Sequence, residues 1–340
     1  MDLTGPHAPV SLTEPPELRR DPVIGRWTIV STERIKRPLD FPHAALREDA
    51  AACPFCPGSE ALTPPEILSV RPDKESPWRK RVFRSAAPVV SDDEELMRRG
   101  EGMFDMMSGY GVHEVIVDAP DHGMTIATMP HDDLTELILL WRDRYRVLKE
   151  GRLIRYITLF ANKGLAAGAA IMHSHSQLIA TPIIPRRISE EVAQAYSYFQ
   201  LKERCVFCDI LESDTSGERT VFTNDEFVVV TPFASRVPYE MVILPLEHAS
   251  HFEEITAESV SSLAAAFRAS LGSLSRLLQE PPYTFVLHTA PTLERGMVHY
   301  HWHFEIMPRL TNLAGFEWGT GFYINPVLPE YAAARLREAV

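Results

Sequence analysis

Two histidines and a glutamine alternate in the stretch Met172 to Pro182, MHSHSQLIATP. In an extended strand alternate residues share a face, so His173, His175 and Gln177 point one way and Ser174 and Ser176 the other. Convergent imidazoles with a carboxamide suit metal ligation, or attack on phosphorus with a hydrogen-bond donor held beside the nucleophile. All four cysteines fall in two Cys-x-x-Cys pairs, Cys53/Cys56 and Cys205/Cys208. That spacing fits metal ligation far better than a disulfide framework. A thioredoxin-like redox pair opens a helix directly after a strand, whereas the first pair sits in the Pro/Gly-rich loop AACPFCPGSEALTPP, so a metal is the better reading there. The second pair alone is ambiguous.

The histidines recur in the same order behind each pair. After Cys53/Cys56 come VHEVIVDAPDHG with His122 and then the strand with His173 and His175; after Cys205/Cys208 come YEMVILPLEHAS with His248 and then HYHWHFE with His301 and His303. The step from the strand-end histidine to the first of the next pair is 51 residues in one half and 53 in the other. Such self-similarity marks an internal duplication. Thiolates and imidazoles in closed four-coordinate sets suit zinc in a structural role. The expected sites are Cys53, Cys56, His122 and His173, and Cys205, Cys208, His248 and His301.

The elements that must hold these groups are legible. HDDLTELILLWRDRYRVLKEG carries Leu134, Leu137, Ile138, Trp141, Tyr145 and Leu148 at helical spacing, with aspartates suited to capping its start and Gly151 at its end. ITAESVSSLAAAFRASLGSLSRLLQEPP is its counterpart, closed by prolines. The strands lack a tight βαβ rhythm, so the expected fold is α+β, two tandem repeats that each pack helix on a mainly antiparallel sheet, at residues 1–190 and 191–340. With 340 residues, 45% hydrophobic and 24% charged, the chain can bury a substantial core. The opening twenty residues have no apolar segment and no later run is long enough to span a membrane, so a cytoplasmic location is expected. A net charge of −12 argues against a nucleic-acid partner, and the ligands lie too far apart for a zinc finger.

If His173 binds metal, His175 remains on the same face beside a rigid centre. A neutral imidazole attacks phosphorus readily, and a covalent phosphoramidate splits nucleotidyl transfer into two displacements. Gln177 can donate its amide to a phosphate oxygen. Upstream, NKGLAAG supplies Asn162, Lys163 and Gly168, donors and small residues that let backbone approach a phosphate. Arg34 and Arg37, with the cluster WRKRVFR, are further basic candidates.

Together ELRRDPVIGRWTIVSTERIKRP, CPFC, NKG and HSHSQ resemble the galactose-1-phosphate uridylyltransferases, a two-repeat branch of the histidine-triad superfamily. The resemblance implies a uridylylated His175, a metal-ligating His173, phosphoryl contact by Gln177, Asn162 in the site, and Arg34 and Arg37 reaching phosphates across a homodimer interface. Lys163, Gly168 and Ser176 of the same motifs then count among the substrate contacts. The implied partners are a nucleotide sugar and a hexose 1-phosphate. Departures are specific: Ser174 stands where the best-studied members have proline, Ala170 and Ser85 replace a serine and an asparagine, and Gly321 and Val327 fall near the places of a sugar-binding glutamate and glutamine. The glycine-rich GTGFYINP turn, or Asn325, is the expected substitute for holding sugar hydroxyls. HSHSQ with GFE-GTG-YINP also resembles a plant relative that phosphorolyses ADP-glucose. Two other readings are a histidine-triad nucleotide hydrolase and, in the second half, a different metal on Glu191, His301 and His303. Glu305, where the first half has Gln177, would repel a phosphate, so His303 is not expected to be a nucleophile.

Overall fold

The computed structural model describes residues 15–31, 53–93, 95–213 and 217–340. Arg34 and Arg37 lie outside the described residues. In chain order the elements are β1 (Glu17–Arg20), β2 (Trp27–Val30), β3 (Glu66–Val70), β4 (Lys80–Arg84), β5 (Arg98–Glu101), β6 (Phe104–Met107), β7 (Val112–Val117), α1 (His131–Lys149), β8 (Tyr156–Lys163), β9 (His175–Thr181), α2 (Arg186–Lys202) and α3 (Val206–Ser213). They continue with β10 (Thr220–Thr223), β11 (Phe227–Val230), β12 (Met241–Pro245), α4 (Ala257–Leu278), β13 (Tyr283–His288), β14 (His303–Pro308), α5 (Gly315–Thr320), β15 (Tyr323–Asn325) and α6 (Pro329–Arg337).

The duplication is visible as a single ten-stranded sheet in the order β10-β11-β12-β14-β13-β8-β9-β7-β4-β3. Read inward from each edge, the two halves follow the same course: β3-β4-β7-β9-β8 and β10-β11-β12-β14-β13. They join through the antiparallel pair β8–β13, and every other neighbouring pair is antiparallel too. The fold is thus mixed α+β. The boundary expected after residue 190 falls inside α2.

Helices α1 and α4 occupy equivalent places between β7 and β8 and between β12 and β13, and they pack on each other. Both are amphipathic, and each buries its apolar stripe in one continuous core that also takes residues from the central strands. Trp141 of α1 meets Phe285 and Phe267 at centroid distances of 5.5 and 5.8 Å, and Phe267 meets Phe304 at 4.8 Å, so aromatic contacts knit the two repeats together. The capping expectation fails at α1. Pro130 precedes it with no side-chain cap, while Asp132 and Asp133 lie in its first turn, where their charge still complements the helix dipole. α4 has a true cap, Thr256 Oγ1 accepting from the Ser259 N–H at 3.2 Å, and it ends at Gln279 and Glu280 in the left-handed region before the prolines. A bidentate pair, Arg144 on α1 with Glu114 on β7 at 2.6 and 2.9 Å, ties helix to sheet inside the first repeat.

Candidate active site

β9 alternates as the sequence requires, with Ser176, Leu178 and Ala180 buried and His175, Gln177 and Ile179 half-buried on the other face. His173 lies two residues before the strand and is fully buried. Its Nδ1 lies 3.7 Å from Cys53 Sγ and 3.5 Å from Cys56 Sγ, and His122 Nδ1 lies 3.4 Å from Cys56 Sγ. A tetrahedral ion at ordinary thiolate and imidazole bond lengths sets the sulfur-to-nitrogen edge at about 3.6 Å. The quartet therefore fits a four-coordinate cation without rearrangement. His173 Nε2–H donates to Ala119 O at 2.7 Å, which leaves Nδ1 with the lone pair for the metal.

The second quartet repeats this arrangement. Cys208 Sγ lies 3.5 Å from His248 Nδ1 and 3.8 Å from His301 Nδ1, while His248 and His301 donate from Nε2 to Met297 O and Pro245 O at 3.1 and 2.9 Å. Each set brings four ligand atoms within 4.8 Å of one another. Both strand-end histidines sit in the loop after the strand, β7 stopping at Val117 and β12 at Pro245, and the loop carries each of them to its cysteine pair. The second cysteine pair does open a helix, α3, but this follows α2 and not a strand.

His175 Nδ1–H donates to His173 O at 2.8 Å, so in the neutral ring Nε2 carries the lone pair. The edge of Phe55, from the same loop as the cysteines, meets the His175 ring at 5.3 Å. Gln177 Oε1 lies 2.9 Å from His113 Nε2. Behind the strand Asp118 is completely buried, accepting from Ser174 Oγ and Ser176 Oγ at 2.8 Å each. Burial pushes its carboxyl up to about 6, and the serine hydroxyls and Lys80 oppose that rise. Trp141 Nε1–H also donates to Ser176 Oγ, at 2.7 Å.

These contacts reassign several expected substrate groups. Ser176 is fully buried and its hydroxyl is spent on Asp118 and Trp141, so it braces the strand from behind and is not on the face of His175. Lys163 pairs with Glu280 and lies 5.8 Å above the Tyr283 ring, engaged with the second repeat. Asn162 is the penultimate residue of β8; the register of β8 on β9 sets Ala161 opposite Ser176, and one further residue sets Asn162 across from His175. Gly168 has φ +90°, and a Cβ there would lie 3.9 Å from Asn162 Nδ2, so the NKG loop curls back over Asn162. Asn325 is buried and donates to Ser235 O and Val237 O at 3.2 and 3.4 Å, and Val327 is fully buried; neither faces a sugar. Gly321 borders a groove shared with Arg26, Arg186, Arg187 and Tyr323.

The second repeat carries a different centre at the equivalent place. His303 Nδ1–H donates to His301 O at 3.1 Å and Phe207 packs at 5.2 Å, as Phe55 does on His175. Glu305 replaces Gln177, and His288, opposite His303 in the pairing, replaces Asn162. Arg187 binds Glu305 at 2.7 and 3.0 Å and Arg236 binds it at 3.0 Å, while His288 Nδ1 meets Glu191 at 2.9 Å. Burial raises the Glu305 carboxyl, but Arg236, His288 and Arg187 outweigh it and hold it well below the usual range. Glu191, His288, His303 and Glu305 form a third group of potential metal ligands, one that includes Glu191 and His303 but not His301, which sits in the second quartet. Sequence reading missed His113, Asp118, His288 and Arg236; strand register reveals His113 and His288, while Asp118 just past β7 and Arg236 in the β11–β12 loop are found only from the tertiary fold.

A duplicated antiparallel sheet with a histidine offering Nε2 on one strand and a charge-filled counterpart on the other suits group transfer at phosphorus. The family described as "Galactose-1-phosphate uridyl transferase, N-terminal domain" matches residues 9–185, and one described as "Domain of unknown function (DUF4921)" matches residues 118–340. The ADP-glucose phosphorylase of Arabidopsis thaliana is 33% identical over 95% of this chain and 93% of its own length. The galactose-1-phosphate uridylyltransferase of Thermotoga maritima is 32% identical over 95% of this chain and 98% of its own. The crystal structure of the Arabidopsis phosphorylase with ADP-glucose superposes with a TM-score of 0.82 at 31% identity, covering 96% of this chain and 99% of that one. The chain belongs to the galactose-1-phosphate uridylyltransferase family and is a nucleotidyltransferase.

Proposed function

We propose that the chain exchanges UMP between UDP-glucose and galactose 1-phosphate in two displacements through His175. Nε2 of His175 attacks the α-phosphorus of UDP-glucose; the bond from that phosphorus to the bridging oxygen breaks, and glucose 1-phosphate leaves with the electron pair. A phosphate oxygen of galactose 1-phosphate then attacks the same phosphorus, forming UDP-galactose and returning the pair to Nε2. Gln177 donates its amide to a non-bridging oxygen as charge shifts onto it, and Asn162 lies across the strand to order the substrate. Arg34 and Arg37 supply phosphate contacts. The observation that carries this reading is the His175 tautomer, with Nδ1–H committed to His173 O and the lone pair placed at Nε2.

Zinc would occupy both Cys2His2 quartets, with no open position for substrate, and serve to hold His173 and hence the start of β9 in place. The chain is organised as repeats at residues 1–190 and 191–340, works in the cytoplasm and acts as a homodimer. The β5–β6 hairpin supports the dimer, since among the described residues its strands pair with each other alone and it exposes Met103 and Phe104. For location, no described helix is long and apolar enough to cross a membrane.

Transfer of AMP from ADP-glucose to phosphate is the second reading, favoured by the Arabidopsis relative and by Gly321 and Val327 in the sugar-contact positions. Four assays separate the two: UDP-glucose or ADP-glucose, each with galactose 1-phosphate or phosphate. Uridylyl transfer is expected to lead in kcat/KM; a lead of more than about tenfold for ADP-glucose with phosphate, roughly 1.4 kcal/mol in the transition state, replaces it. In either case labelled nucleotide sugar should leave an acid-labile, base-stable adduct on His175, and a His175→Ala protein that still forms it would sink the assignment.

A further inference from the structure

We propose that His113 is a positioning residue that selects which end of the Gln177 amide faces the reacting phosphate. The inference rests on the roles given above to His175 and Gln177. β7 and β9 pair antiparallel with Val115 opposite Gln177 and His113 opposite Ile179, which makes His113 the diagonal neighbour of Gln177 on the face that carries His175. His113 is 6% exposed, and its ring spans two partners of fixed character. Nδ1 lies 3.4 Å from the Val89 backbone N–H, which can only donate. Nδ1 must therefore present its lone pair, and the proton of the neutral ring sits on Nε2. Nε2 lies 2.9 Å from the Gln177 side chain, and an N–H there can donate only to the amide oxygen. Oε1 is drawn to His113, and the NH2 group is left to face the phosphate.

An amide turned end for end has nearly the same shape, but it would set an oxygen lone pair against a phosphate oxygen. Without His113 nothing in this contact distinguishes the two orientations. The chain of command runs from a backbone N–H through one imidazole to the amide, so His113 acts on the transfer step without touching substrate.

Single-turnover nucleotidylation of His175 by UDP-glucose tests the proposal in the wild type, His113→Phe, His113→Gln, His113→Asn, Gln177→Ala and the His113→Phe/Gln177→Ala double variant. His113→Phe should slow adduct formation about 10- to 100-fold while the Kd for UDP-glucose moves by less than about threefold. His113→Gln, whose amide nitrogen reaches the place of imidazole Nε2, should recover most of the rate, and the shorter His113→Asn should not. In the Gln177→Ala background His113→Phe should cost nothing more. An equal cost in both backgrounds, or a His113→Gln protein as slow as His113→Asn, overturns the proposal, and the latter pair decides the matter even if the phenylalanine variant does not fold. A wild-type protein that forms no adduct overturns the functional reading and this inference with it; a wild-type adduct indifferent to His113→Phe overturns this inference alone.

Discussion

Replacing Asp118 by asparagine should make the protein more stable at neutral pH, by an amount that grows as pH rises. Asp118 is completely buried, and its carboxyl is pushed from 3.8 up to about 6 because desolvation outweighs the two serine hydrogen bonds and Lys80. Since the folded value lies above the unfolded one, the stability linked to this group is fully present below about pH 4 and is lost as pH rises through about 6. Two pKa units at 1.36 kcal/mol each put the whole loss at about 3 kcal/mol, roughly half of it between pH 5 and 7.5. Asparagine keeps one acceptor and offers one donor, and the Ser174 and Ser176 hydroxyls can rotate to meet both. Urea unfolding of wild type and Asp118→Asn at a series of pH values, with zinc in fixed excess, isolates the term, because every other titrating group cancels in the difference. The variant should gain on the wild type by about 1.5 kcal/mol between pH 5 and 7.5. A flat difference would refute the claim that a carboxylate is buried there as a charge. Asp118→Leu makes the contrast: it leaves both serines without an acceptor and should cost about 1–3 kcal/mol whatever the pH.

Metal analysis should find about two zinc ions per chain, and His122→Ala should lose one of them while the second quartet keeps its own; a single ion in the wild type would refute the second site. Arg144→Met strands Glu114 in the core and should destabilise the protein by about 3–5 kcal/mol in denaturant unfolding, a loss that Glu114→Gln combined with Arg144→Met should largely recover. His303→Asn should leave nucleotidylation at one adduct per chain and at the wild-type rate; a halved stoichiometry would show that the second repeat also reacts.

Much of this architecture is written in local pattern. The 3.6-residue spacing of Leu134, Leu137, Ile138, Trp141, Tyr145 and Leu148 is the buried stripe of α1, and the alternation in His175–Thr181 is the two-faced strand β9. Two Cys-x-x-Cys pairs with histidines at matched intervals gather into two compact quartets, because ligands that share an ion have to keep their spacing through a duplication. Groups that act through strand register are not written that way. His113 lies 64 residues from Gln177 and Asp118 lies 58 from Ser176, and neither belongs to a motif; the pairing of β7 with β9 alone brings them together. The same limit explains the misplaced Ser176, where parity within the strand overrides membership of HSHSQ, and Asn325, whose polar side chain is absorbed by loop carbonyls that need a donor.

Divergence of the two halves follows from one exchange, a carboxamide for a carboxylate. Each repeat presents a histidine whose Nδ1–H is tied to the carbonyl two residues back and whose ring packs against a phenylalanine from the cysteine-bearing segment, so the backbone sets the same imidazole tautomer twice. Gln177 is neutral, needs no counter-ion and does not repel an anion. Glu305 is a buried charge that cannot stand alone, and Arg187, Arg236 and His288 close around it while Glu191 and Glu240 hold those partners in turn. A phosphate entering there would have to displace a carboxylate from partners already matched to it, and it would meet Glu305 as a like charge. Removing Glu305 would still leave Arg236 paired with Glu240, and Arg187 and His288 with Glu191. The second repeat braces the first: β13 pairs with β8, the strand that carries Asn162, and α4 packs on α1 in a shared core.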